Sequence, residues 1–77
     1  MPTYLVSESD QKYLDQAFTY HPPHDDQAER YGLLRGHGRL MAEQILSQCP
    51  PSRERSLALT KLQECVMWAN AAIACSE

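Results

Sequence analysis

The most regular alternation of apolar and polar positions in the chain runs from Ser52 to Ala74, SRERSLALTKLQECVMWANAAIA. Leu59, Leu62, Val66, Ala69 and Ile73 recur at steps of three or four residues, which puts them on one face of an α-helix. Ala58, Leu62, Cys65, Ala69 and Ala72 form a second row beside it, and together the rows make an apolar band wide enough to face more than one neighbour. Pro50 and Pro51 stop whatever precedes, Ser52 suits an N-cap, and Glu54 puts negative charge where the helix dipole favours it. Nearer the start, Ser7 or Ser9 caps a short helix through about Phe18, with Tyr13, Leu14, Ala17 and Phe18 clustered at one-turn spacings. The run Thr19-Tyr20-His21-Pro22-Pro23-His24 cannot be helical throughout, because each proline pushes its predecessor to extended geometry and offers no N–H. It is a rigid elbow. Asp25 and Asp26 then start a second long helix to about Gln48, with Ala28, Tyr31, Leu34 or Arg35, Gly38, Met41, Ile45 and Leu46 inward. Ahead of all this, Met1 to Val6 is a tail whose Tyr4, Leu5 and Val6 point to docking against another surface.

Two helices of about 23 residues, each about 35 Å long and joined by the short turn around Cys49 to Pro51, form an antiparallel helical hairpin. The fold class is all-α: a hairpin with a short N-terminal helix, in one domain spanning residues 1–77. Gly32, Gly36 and Gly38 interrupt the first long helix, each costing roughly 1 kcal/mol against alanine. Two explanations are open: close approach of the facing helix, or space cleared for a ligand lying on it. A chain of 77 residues buries little surface, and three helices cannot cover the apolar faces named above. The expected remedy is assembly with copies of itself.

Charge and cysteine content narrow the classes. The net charge of −3 lacks the basic excess of DNA and RNA binders, so a phosphate site here must be a local arrangement of arginines. Three cysteines, Cys49, Cys65 and Cys75, are an odd number, and the latter two sit at apolar helical positions where a reduced thiol packs as a small hydrophobe. No apolar run approaches the ~18 residues of a membrane span, and the start lacks the basic and apolar regions of a signal peptide. A cytoplasmic protein is expected, with no membrane partner.

His21 and His24 with Cys49 or the aspartates lack zinc-type ligand spacing, so no metal is expected. The acidic residues show no paired arrangement and no glycine-rich phosphate loop follows a strand, which disfavours an enzyme; no catalytic residues and no cofactor are assigned. What stands out is the concentration of planar and guanidinium groups around the elbow and the helix after it. Tyr20, His21 and Tyr31 offer flat surfaces, and Arg30, Arg35 and Arg39 offer bidentate donors, Arg35 and Arg39 one turn apart. Nucleotides need both, since a base stacks on a ring and a phosphate sits in arginine's planar fork. The plainer explanation is a solvated face with ion pairs such as Arg39 with Glu43.

The string Phe18-Thr19-Tyr20-His21-Pro22, then Asp26-Gln27 and Arg30-Tyr31, Cys49-Pro50, Ser52-Arg53-Glu54, and Met67-Trp68-Ala69-Asn70-Ala71 resembles the small phage-encoded anti-CBASS sponge proteins. It also looks like the C-terminal helical part of the related anti-Thoeris sponges. The resemblance covers roughly Phe18 to Ala74 and lies in an ordered set with its spacing rather than in one short motif. It implies a non-catalytic protein that captures cyclic oligonucleotide signals of bacterial immunity, acting in the host bacterial cytoplasm, and assembled as a homo-oligomer, commonly a hexamer, with pockets between subunits. By the same resemblance Tyr20 stacks on a base of a cyclic dinucleotide, Arg35 meets a phosphate, and His21 is a further contact. Some members hold cyclic trinucleotides at a second site. Cys75 stands where the family often has an arginine, which puts such a site in doubt; Arg53 and Arg55 are the substitutes at hand, and ordinary solubility explains them equally well. The competing classes are a helical adaptor that binds a host protein and an enzyme that degrades the signal.

Overall fold

The structure, a computed structural model, describes residues 4–77. Over that range it has three helices and no strand: α1 (Glu8–Phe18), α2 (Gln27–Gln48) and α3 (Arg53–Ser76). Of the N-terminal tail, Met1 to Thr3 lie outside the described residues. Tyr4, Leu5 and Val6 are exposed, so they dock on nothing within this chain.

Each helix start has a local cause. Ser7 rather than Ser9 caps α1, its hydroxyl accepting from Asp10 N at 3.1 Å while the Asp10 carboxylate accepts from Ser7 N at 3.0 Å. The Ser7 N–H foremost, and then the Ser7 hydroxyl, hold the Asp10 carboxyl below its ordinary value. Ser52 caps α3 as expected, its hydroxyl accepting from Arg55 N at 3.1 Å.

The start of α2 corrects the sequence reading. Asp25 is not helical: it takes a φ of 52°, a left-handed conformation that aspartate tolerates better than most residues. Asp26 occupies the N-cap position, but its side chain makes no capping bond and instead pairs with Arg30 at 3.1 Å. The helix proper begins at Gln27.

The hairpin is antiparallel: Gln27 meets Ile73, Gly38 faces Val66, and Arg55 reaches Leu46, so α2 and α3 run past each other in opposite directions. Arg55 closes the turn, donating from Nη1 to the carbonyls of Leu46 and Cys49 at 3.2 and 3.3 Å. These are among the carbonyls a helix C-terminus leaves unpaired. Arg55 thus serves the turn between the long helices.

The principal row on α3 is confirmed, since Leu59, Leu62, Val66, Ala69 and Ile73 are all half-buried. In the second row Ala58, Cys65 and Ala72 are exposed, so Cys65 is not packed as a small hydrophobe within this chain. On α2 the inward positions are Gln27, Arg30, Tyr31, Leu34, Gly38, Ala42 and Ile45; Ala28, Met41 and Leu46, expected inside, are exposed. Among the described residues no apolar side chain is fully buried, and Trp68 is 68% exposed. The chain is a plate 50 × 40 × 13 Å, with a radius of gyration of 17.4 Å. A compact chain of this length would have a radius of about 11–12 Å.

Candidate functional site

The elbow, α2 and the end of α3 enclose a shallow hollow of about 390 Å³. Tyr20, His21 and Pro23 come from the elbow, Tyr31 and Arg35 from α2, and Asn70, Ala71 and Ala74 from α3. The fold therefore brings together Tyr20, His21 and Arg35, which the sequence separates by the rest of the elbow and the first turns of α2. Tyr31 and Arg35 share the hollow because one helical turn stacks them on the same face. Pro22 and Pro23 hold the elbow extended, and His21 is tied back to α1 by a 2.7 Å bond between Nε2 and the Gln16 carbonyl. A carbonyl only accepts, so the ring proton in that bond is on Nε2. Tyr20 is 80% exposed, its ring left uncovered by this chain.

Behind the hollow lies a polar clasp. Gln27, 3% exposed, is the one fully buried residue among those described. Its Oε1 accepts from His24 N at 3.2 Å, and its Nε2 donates to the Ile73 carbonyl at 3.4 Å and to Glu77 Oε1 at 3.1 Å. Arg30 grips the same Glu77 carboxylate with both terminal nitrogens, at 2.6 and 2.5 Å, and also pairs with Asp26. The Arg30 and Gln27 bonds hold the Glu77 carboxyl down at about 2, and the Glu77 bond pushes the Arg30 guanidinium above its ordinary value. Arg30, one of the bidentate donors suggested by sequence, is thus occupied within the chain.

Arg39 and Arg53 lie elsewhere. Arg39 lines a second, larger groove of about 660 Å³ between α2 and α3, floored by Gly38, Ala42, Leu59, Leu62 and Val66. Its Nε pairs with Glu43 at 3.2 Å, the ion pair that the plainer sequence explanation named. Arg35 and Asn70 line both hollows, which makes them neighbours in one continuous depression. Arg53 opens α3 at the far end of the hairpin, about 30 Å from Ala74 along the helix axis, so this chain does not bring it near Tyr20.

Asn70 and Gln27 entered the sequence reading only as members of the family-like string, with no role of their own. Gln27 opens the inward-facing row of α2 and Asn70 lies on the inward side of α3, and a polar residue at such a position was the available signal. Asn70 Oδ1 is buried with no hydrogen-bond partner.

The lining of the elbow hollow combines two phenols, an imidazole, a guanidinium and an amide with no carboxylate, which suits binding an anionic, planar molecule. Among the described residues no group of three or more histidine, cysteine or acidic side chains is placed to hold a metal ion. No helix there is long and apolar enough to cross a membrane.

The family model for the Acb2/Tad1 hairpin domain matches residues 10–74. The chain belongs to this family of anti-CBASS and anti-Thoeris sponges. No curated protein and no solved structure gives a significant match. The span matched to the Acb2/Tad1 hairpin domain runs from within α1 to within α3 and contains Tyr20, His21, Arg35, Arg39 and Arg53. The Acb2/Tad1 family carries a sponge-type role, the binding of cyclic oligonucleotides, and is a family of binders rather than catalysts. Glu77, the acidic half of the clasp, lies beyond the matched span.

Proposed function

We propose that the protein sequesters cyclic dinucleotides of bacterial immune signalling in the elbow hollow. Tyr20 stacks on a base, Arg35 holds a phosphate, His21 adds a contact beside them, and Arg39 contributes from the adjoining groove between α2 and α3. The observation that carries the reading is the convergence of Tyr20, His21 and Arg35 on one hollow without a carboxylate. Enclosure comes from neighbouring copies in a homohexamer. Support for that assembly is physical: a plate 13 Å thick, with no buried apolar side chain among the described residues, is short of the burial that stabilises a chain of this length. A stacking ring that is 80% exposed also needs a cover before it holds a ligand tightly. Cyclic trinucleotides are assigned to a separate site drawing on Arg53. For a phage-encoded protein the place of action is the host bacterial cytoplasm.

A thermal-shift screen across cyclic di- and trinucleotides tests this, because a molecule that binds only the folded assembly raises its apparent stability. Nucleotide recovered unchanged after denaturing the complex is the expected result; recovery of cleaved products would point to a signal-degrading enzyme. The exposed Trp68 and Met67 favour the second reading, an adaptor for a host protein. No shift with any cyclic nucleotide would favour that adaptor.

A further inference from the structure

Resting on the assignment of Tyr20 and Arg35 to the ligand, we propose that the Gln27–Arg30–Glu77 clasp sets the hollow in its binding-ready shape, with all three as positioning residues. The clasp sits directly behind the lining. His24, whose N–H the Gln27 amide holds, follows Pro23; Arg30 precedes Tyr31; and Ile73, whose carbonyl Gln27 also holds, precedes Ala74. Each of the three elements that form the hollow is therefore fixed one residue away from a lining position. Nothing else described ties the elbow to α3 by side-chain hydrogen bonds: His21 is bonded back to Gln16 of α1, and His24 to its neighbour Asp25. The turn at the left-handed Asp25 is closed by a backbone bond from Gln27 N to the His24 carbonyl at 3.0 Å, and the Gln27 side chain adds the link from that turn to α3.

The chemistry fits a lock more than a fold determinant. Gln27 uses both ends of its amide on two segments far apart in sequence, and it is buried while no apolar side chain around it is. Glu77 is shared by Gln27 and Arg30, so loss of its charge loosens both at once. An elbow that samples other positions is competent for only a fraction of the time, and apparent affinity falls by that fraction. With exchange between elbow positions faster than binding, the loss is in the association rate, and the bound complex dissociates as before.

The test is stopped-flow binding of cyclic GMP–AMP, a cyclic dinucleotide probe, to the full chain in its native assembly, as wild type, Glu77→Gln, Gln27→Ala and Tyr20→Ala. Glu77→Gln and Gln27→Ala are expected to slow association about fivefold, with the dissociation rate and the assembly size unchanged. A merely structural role would lower the melting temperature and the fraction of active protein while leaving the association rate per active site untouched, and that result would overturn the proposal. Unchanged association in both variants, with Tyr20→Ala strongly impaired, overturns it too while sparing the ligand site. If Tyr20→Ala binds like wild type, the ligand site itself is wrong and the proposal goes with it.

Discussion

Gly38 of α2 faces Val66 of α3 so closely that a Cβ on the glycine would lie 2.7 Å from Val66 Cγ2. Valine is stiff at χ1, so it cannot swing a distant atom aside, and the helices must separate instead. Gly38→Ala is expected to destabilise the assembly by about 1–3 kcal/mol despite alanine's better helix propensity. A Cβ at Gly36 meets nothing within 4 Å, and there alanine is expected to stabilise by up to ~1 kcal/mol. Denaturation at fixed protein concentration compares the two. A destabilised Gly36→Ala protein would mean that another copy packs against that glycine.

The same pair shows where sequence reading succeeds and stops. The principal row of α3 was legible because five apolar residues share one face, and the hairpin followed from two long helices and a turn too short for anything else. Of the two explanations for the glycines, close approach is correct at Gly38 but not at Gly32 or Gly36. Periodicity places residues on a face without saying which neighbour meets them. Ala28, Met41 and Leu46 failed for a related reason: the inward row of α2 is anchored by Gln27, a polar residue that an apolar count discards. Tyr20, His21 and Arg35 were legible as chemistry, and their convergence came from the elbow's geometry. Arg30 looked equally suited, but its partner, Glu77, is 47 residues away and invisible to local pattern.

Within the elbow hollow, Tyr20→Ala is expected to weaken capture of a cyclic dinucleotide by about 1–3 kcal/mol, the loss of one stacked base. Tyr20→Phe keeps the ring and is expected to bind nearly as wild type. Arg35→Ala, which removes a charged donor to phosphate, is expected to cost about 1.5–3 kcal/mol. Arg39→Ala is expected to cost less, since Arg39 is 83% exposed and already paired with Glu43. Calorimetric titration of the intact assembly measures all four. Wild-type affinity in both alanine variants at Tyr20 and Arg35 would remove the hollow as the site.

Glu77 supplies a pH dependence with a definite sign. Its carboxyl is lowered from an ordinary 4.5 to about 2, first by the hydrogen bonds from Arg30 and then by that from Gln27. A depressed carboxyl contributes stability that is present in full above about pH 4.5 and disappears as the pH falls toward 2. Wild type is therefore expected to be more stable than Glu77→Gln at neutral pH, with the gap closing across that acidic window. Chemical denaturation of both proteins at several pH values reads the gap. A difference that stays constant down to pH 2 would show that the charge on Glu77 contributes nothing.

Arg53 separates a one-site protein from a two-site protein. Within one chain it is about 30 Å from the end of α3 that lines the elbow hollow, too far for direct coupling. If the two ends bind different molecules, Arg53→Ala leaves cyclic dinucleotide affinity within about 0.5 kcal/mol of wild type and lowers only cyclic trinucleotide capture. The double variant with Tyr20→Ala then shows the two losses independently, each for its own ligand. If instead a neighbouring copy brings its Arg53 over the exposed Tyr20, the two substitutions act on the same ligand and their effects fail to add. Paired titrations of the single and double variants with one cyclic dinucleotide and one cyclic trinucleotide distinguish these arrangements. Loss of dinucleotide binding in Arg53→Ala alone would place the far end of one hairpin at the pocket of the next.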